Sequence, residues 1–67
     1  MLALKVARVK RGLTQEGLSR ISGVSRVTIS NIERGKQSVL DTPAGTLLKI
    51  AEALDTDITT LFFSDND

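Results

Sequence analysis

Apolar residues recur three and four positions apart along most of this 67-residue chain, and an alternation of period two is never sustained. That spacing gathers the apolar side chains of each segment on one side of a helix turning about 100° per residue, whereas a half-buried strand needs strict alternation. The chain is therefore read as all-α, and its start and stop signals divide it into five short helices. The first has Leu4, Ala7, Arg8 and Arg11 on one stripe and stops near Gly12. Thr14 is a suitable N-cap for the second, since its hydroxyl accepts an orphan backbone N–H. Leu18 and Ile21 are expected on the inward face of that helix, and Gly23 suits a turn residue with positive φ. Ser25 caps the third helix, Ile29 and Ile32 point inward, and Gly35 ends it. Thr42 as cap and Pro43 at the first helical position open the fourth, with Leu47, Leu48, Ile50, Ala51 and Leu54 on its buried side. Asp57 caps a last turn built from Ile58, Leu61 and Phe62.

A chain of this length makes one domain, expected over residues 1–63 with a short polar tail at 64–67. At this size a core alone supplies only about 3 to 5 kcal/mol. The chain has no Cys and no His, so disulfides, thiolate chemistry, the usual zinc spacings and His-based acid–base schemes are excluded. No nucleophile and base pair presents itself, and neither an enzyme nor a cofactor nor a metal site is expected. The N-terminal "MLALKVARVK" mixes charge into its apolar residues and lacks the uninterrupted apolar core of a signal peptide. No segment approaches the roughly 20 apolar residues that span a membrane. A cytoplasmic location is expected.

Net charge is only +1, but it is unevenly distributed. Residues 1–40 hold eight Lys and Arg against Glu16 and Glu33, and residues 41–67 hold Lys49 against six acids. Such a chain can offer a positive face to a polyanion without being basic overall. Ordinary solvated charges would give the same count.

The stretch "GVSRVTISNIERGK", residues 23–36, sharpens this. Thr28, Ile29, Ile32 and Glu33 fall on one side of a helix, and Val27, Ser30, Asn31 and Arg34 on the other, so a bare Val stands on the polar face. Two short helices joined by a tight Gly-containing turn, the second with an exposed polar face, form a helix-turn-helix. A major-groove reader needs such a face: Arg26 can reach guanine acceptors, Asn31 can pair with an adenine edge, and Val27 can meet a thymine methyl. Ser30 belongs to the same base-contacting set. The other reading of Val27 is a half-buried contact with a neighbouring helix. Arg8 and Glu33 lie toward the inward sides of the first and third helices, where each is uncompensated unless the other neutralises it, and they are expected to pair.

With "GLTQ", "SGVSRVTISNIERGK", "LLKIAEAL" and "ITTLF" in this order, the chain resembles the lambda-repressor-like (Cro/CI, XRE-type) DNA-binding domains over about nine tenths of its length. The resemblance implies a compact five-helix domain from a bacterium or phage, with helices 2 and 3 as the motif and the third lying in the major groove of an operator. It implies phosphate contacts from Thr14 and Gln15 at the start of the second helix, where backbone N–H groups attract an anion. Arg34, the Gly35 amide and Lys36 would hold the far end of the same phosphate path. Arg34 and Lys36 are equally well placed simply as cations near a helix C-terminus. The resemblance also implies a salt bridge between Arg8 and Glu33.

Three departures from the family pattern stand out. The loop "QSVLDTPAGT", residues 37–46, is about three residues longer than expected and holds no Lys or Arg, and Val39 and Leu40 could fold back on the core. Asp55 ends the fourth helix where Gly is usual, and Gly17 sits inside the second. The function expected is a sequence-specific transcriptional regulator of the repressor type, acting as a homodimer on double-stranded DNA. The dimer contact is expected at Thr60, Phe62 and Phe63, because one closing turn has no obvious buried place for Phe63, although an aromatic there can also just cover the end of the core. The alternative is an antitoxin-like module that binds a protein partner and regulates its own operon.

Overall fold

The computed structural model describes residues 1–64. Of the expected polar tail, 64–67, all but Ser64 lies outside the described residues. Five α-helices follow one another: α1 (Leu2–Lys10), α2 (Gln15–Ser22), α3 (Arg26–Glu33), α4 (Ala44–Ala53) and α5 (Ile58–Phe62). A single 3-10 turn, Val39–Asp41, stands between α3 and α4, and no strand is present among the described residues. None of these helices is long and apolar enough to cross a membrane.

Local chemistry sets the helix starts. Thr14 Oγ1 accepts the Gly17 N–H at 2.9 Å, Ser25 Oγ accepts the Val27 N–H at 3.1 Å, and Asp57 Oδ2 accepts the N–H groups of Thr59 and Thr60. Each satisfies a donor that the first helical turn leaves orphaned, a contribution of about 1 kcal/mol. Between α2 and α3 the chain turns at Gly23, whose φ of 77° closes off α2 in the left-handed region where a Cβ would be strained. Gly17 has a different reason. A Cβ there would stand 3.3 Å from Thr14 Oγ1 and 3.5 Å from a Leu13 methyl, so the residue of poor helix propensity leaves room for the cap above it.

The core draws on every helix. Leu4, Leu18, Ile29, Ile32, Ile50 and Leu54 are fully buried, and Leu61 and Phe62 close it from α5. Burial of each such side chain stabilises by about 1.5 to 3 kcal/mol. α2 packs on α3 and α4, while α1 packs on α3 and α5, so the helix-turn-helix is held from two sides.

Four expectations about packing are corrected. Ile21 is 59% exposed, because the inward face of α2 is centred on Leu18 and Ser22, and Ile21 lies about 80° away from that centre. Leu48 is also exposed, since it falls about 100° round α4 from Leu47 and the stripe of Leu47, Ile50, Ala51 and Leu54 already fills the contact. Thr42 does not cap α4. It is buried, donating from Oγ1 to the Ser38 carbonyl at 2.8 Å and accepting from Gln37 Nε2 at 3.0 Å, and Pro43 takes the N-cap position without a side-chain bond. In the long loop Val39 packs against the core, but Leu40 stands almost fully exposed.

At the end of α4, Asp55 adopts a φ of 52°. The left-handed region costs an L-residue about 1 to 2 kcal/mol, and the ion pair from Asp55 to Arg11, at 4.0 Å on the surface, returns little of this. Asp55→Gly should therefore stabilise the domain by about 0.5 to 1 kcal/mol after the greater freedom of Gly in the unfolded chain is subtracted. Urea denaturation checks this, and an unchanged or lower midpoint would show that the Asp side chain makes up for the strain.

Candidate nucleic-acid interface

The inner and outer sides of α3 have different tasks. On the inner side, Ile29 and Ile32 enter the core and Glu33 meets Arg8 from α1. Arg8 Nε donates to Glu33 Oε2 at 2.7 Å and Nη2 donates to Oε1 at 3.1 Å. The third arm, Nη1, donates to the Leu13 carbonyl at 2.7 Å, and Gln15 Nε2 donates to Glu33 Oε1 at 3.1 Å. The Arg8 and Glu33 side chains are 10% and 4% exposed, so both charges are largely withdrawn from water and both depend on these partners.

Burial works to raise the Glu33 pKa, but hydrogen bonds from Arg8 and Gln15, with the positive charges of Arg8 and Lys5, outweigh it. The carboxyl lies below its ordinary value. Arg8 moves up, chiefly through its bond to Glu33 and against the effect of burial. Gln15, expected at a phosphate, thus also braces the end of α3 from the start of α2.

The outer side of α3 is open. Val27 is 59% exposed, which removes the reading in which it packs on a neighbouring helix. Arg26 is exposed beside it, with Ser30 and Asn31 half-exposed one turn on. Among the described residues the side chains of Arg26, Ser30 and Asn31 form no intramolecular hydrogen bond or ion pair. Their donors and acceptors stay available on one short stretch of surface.

Beyond α3, Arg34 and Lys36 are exposed, and Thr14 Oγ1, though it accepts the Gly17 N–H, keeps its own O–H. The expected phosphate contact of the Gly35 amide is corrected: that N–H donates to the Ile32 carbonyl at 3.2 Å, where it ends α3. A polar groove of about 350 Å³ borders Ser25 and Thr28 and is walled on the other side by Gln37, Thr46 and Lys49. No acid lines it. Its hydroxyls and single ammonium suit an anion, and the sequence reading passed over Lys49 because it looked for cations within the loop rather than one turn past it.

At the other end of the molecule Phe62 is 8% exposed and belongs to the core, whereas Phe63 is 49% exposed and Thr60 is exposed. Phe62 is therefore corrected as a contact residue, since little of its ring is left for a partner.

Two helices of eight residues joined through Gly23, the second with its polar side free and its apolar side locked to α1 and the core, define a helix-turn-helix DNA-binding domain. The family model HTH_3, described as helix-turn-helix, matches residues 4–61. The chain belongs to this family of XRE-type, lambda-repressor-like proteins, which binds double-stranded DNA and regulates transcription. No curated protein and no solved structure matches it.

The Arg8–Glu33 pair sets a pH dependence whose sign is fixed by the lowered Glu33 pKa. Its stability is fully present above the unfolded carboxyl's pKa of about 4.3 and is lost as the pH falls through the folded value. Glu33→Gln should lose that part of the acid transition. Arg8→Met alone strands a buried carboxylate at a cost of about 3 to 5 kcal/mol, enough to unfold a domain of this size. Arg8→Met with Glu33→Leu should remain folded by circular dichroism, and equal unfolding of the single and double variants would show that the two side chains act independently.

Proposed function

We propose that this protein is a sequence-specific repressor that binds a two-fold operator as a homodimer in the cytoplasm, with α3 in the major groove. The observation that carries the proposal is the open outer face of α3. Arg26 offers a fork of donors to guanine N7 and O6, Asn31 offers a donor and an acceptor to adenine, and Val27 offers a methyl surface to thymine. Ser30 lies between them and suits either kind of base edge. Thr14 and Gln15 at one end, with Arg34 and Lys36 at the other, position the helix on phosphates without reading sequence.

One such helix covers only a few base pairs, and a useful preference over competing genomic sites calls for a second copy. Helix-turn-helix dimers place their half-sites about 34 Å apart. Phe63, with Thr60 on the same side of α5, is the surface proposed for that contact, because an aromatic ring half out in water gains most from being covered.

Asn31→Ala should cost about 1 to 3 kcal/mol on the preferred site and relax the preference at one base position. Lys36→Ala should weaken binding to all sequences alike and flatten the dependence of log K on log salt by about one unit at most. Titrations against single-base variants of a selected site measure both. A Lys36 variant with altered base preference would reverse the roles assigned.

Phe63→Ser tests the assembly. Full-site binding should lose its cooperativity while affinity for an isolated half-site stays the same. A cooperative curve like that of the parent would remove Phe63 from the dimer contact.

A further inference from the structure

α1 is apolar on two opposite sides. Leu4 and Ala7 face the core, with Arg8 beside them on its way to Glu33. On the far side Leu2, Val6 and Val9 are 73%, 45% and 55% exposed and fall within about 60° of one another. A helix that is apolar on two sides is normally buried on both. Two of the three outer residues are β-branched, which loses helix propensity without repayment if the face stays in water.

The spacing of these residues, four positions and then three, is that of a coiled-coil seam. Lys5 and Lys10 flank it on either side, each about 40° beyond the nearest Val. Beside the seam, a groove of about 680 Å³ runs between α1 and α5, with Leu2, Val6, Leu54, Thr60 and Leu61 in its walls. Arg11 stands at its end with Lys10. Among the described residues the one acid lining it, Asp55, lies 4.0 Å from Arg11, so the free charge that they place around the groove is positive.

Those flanking charges decide what can cover the seam. A second copy in parallel would set Lys5 against the other copy's Lys10, and an antiparallel copy would set each lysine against its own equivalent. Both arrangements are repulsive, whereas a helix with acidic residues beside its own apolar seam is attracted at both edges. We infer that the outer face of α1, which borders this groove, is a docking site for an amphipathic helix of a different protein, with Leu, Ile or Val on the buried face and Glu or Asp at the flanks.

The occupant binds by laying its apolar stripe along Leu2, Val6 and Val9, as one helix of a coiled coil packs on another, with one edge over the groove. This inference goes beyond the DNA-reading role and does not rest on it: neither the outer face of α3 nor Phe63 lines the groove, and Thr60 alone is shared with the proposed dimer surface. It gives the domain a second input through a surface that DNA contact leaves free.

The test uses two synthetic helical peptides of three heptads, about 21 residues, with Leu at the seam and either Glu or Lys at the flanking positions. Each is titrated into the isotope-labelled chain and followed by backbone amide shifts, with operator affinity measured in parallel. The Glu peptide should bind roughly tenfold or more tightly than the Lys peptide and move the resonances of Leu2, Val6, Val9 and Thr60. Val6→Glu should weaken the Glu peptide roughly tenfold while operator affinity is unchanged.

The exposed variant Lys10→Glu leaves Lys5 in place beside the Arg8–Glu33 pair and should narrow the preference for the Glu peptide over the Lys peptide. Equal binding of both peptides, binding of neither, or shifts confined to other residues would overturn the inference. So would self-association of the chain that Val6→Glu abolishes, because a second copy would then be the occupant.

Discussion

The buried pair of Arg8 and Glu33 ties three helices together, and the orientation of the outer face of α3 follows from it. Arg8 leaves α1, takes both carboxylate oxygens at the end of α3 and also holds the Leu13 carbonyl ahead of α2. Gln15 adds a bond from α2 itself. A pair so dry contributes little net stability beyond what well-packed apolar residues would give, because desolvation cancels most of the attraction. Its effect here is geometric. Hydrogen bonds have direction where apolar contacts do not, so in a domain with few core residues they set the rotation of α3 about its axis. Val27 and Asn31 lie on the other side of the same two turns and Arg26 at the edge of that side, and a twist of α3 would move all three.

Much of this was legible from residue type and spacing because the causes are local. A hydroxyl or carboxylate before an apolar run marks a helix start, and Thr14, Ser25 and Asp57 each accept the N–H groups expected of a cap. The pairing of Arg8 with Glu33 was legible for another reason: two opposite charges on inward stripes have few ways to be satisfied. What failed was set by neighbours distant in sequence. Ile21 and Leu48 have the right residue type for a core and lie about 80° and 110° off the centre of the contact their helices make. Thr42 has the right type for a cap, but the 37–43 loop uses its hydroxyl to close on itself. The Gly35 amide suits a phosphate by its place after α3, but it donates to the Ile32 carbonyl in closing that helix.

The uneven distribution of charge along the chain acquires a spatial meaning in this fold. Basic residues of the first 40 positions serve two separate surfaces: Arg26, Arg34 and Lys36 surround the outer face of α3, and Lys5, Lys10 and Arg11 surround the outer face of α1. The first surface is polar with one Val, as suits base edges and a methyl group. The second is an apolar ridge between lysines, as suits a helix with acidic flanks.

The central claim is that the outer face of α3 reads base sequence, and selection from a random duplex pool tests it most directly. Repeated rounds of binding by the parent chain should enrich one short motif repeated about a two-fold axis, with half-site centres spaced by about 10 base pairs. The same selection with Asn31→Ala should lose the preference at one position in each half-site and keep the spacing. Enrichment of no common motif by the parent chain, or of the same motif to the same depth by the variant, would contradict the account.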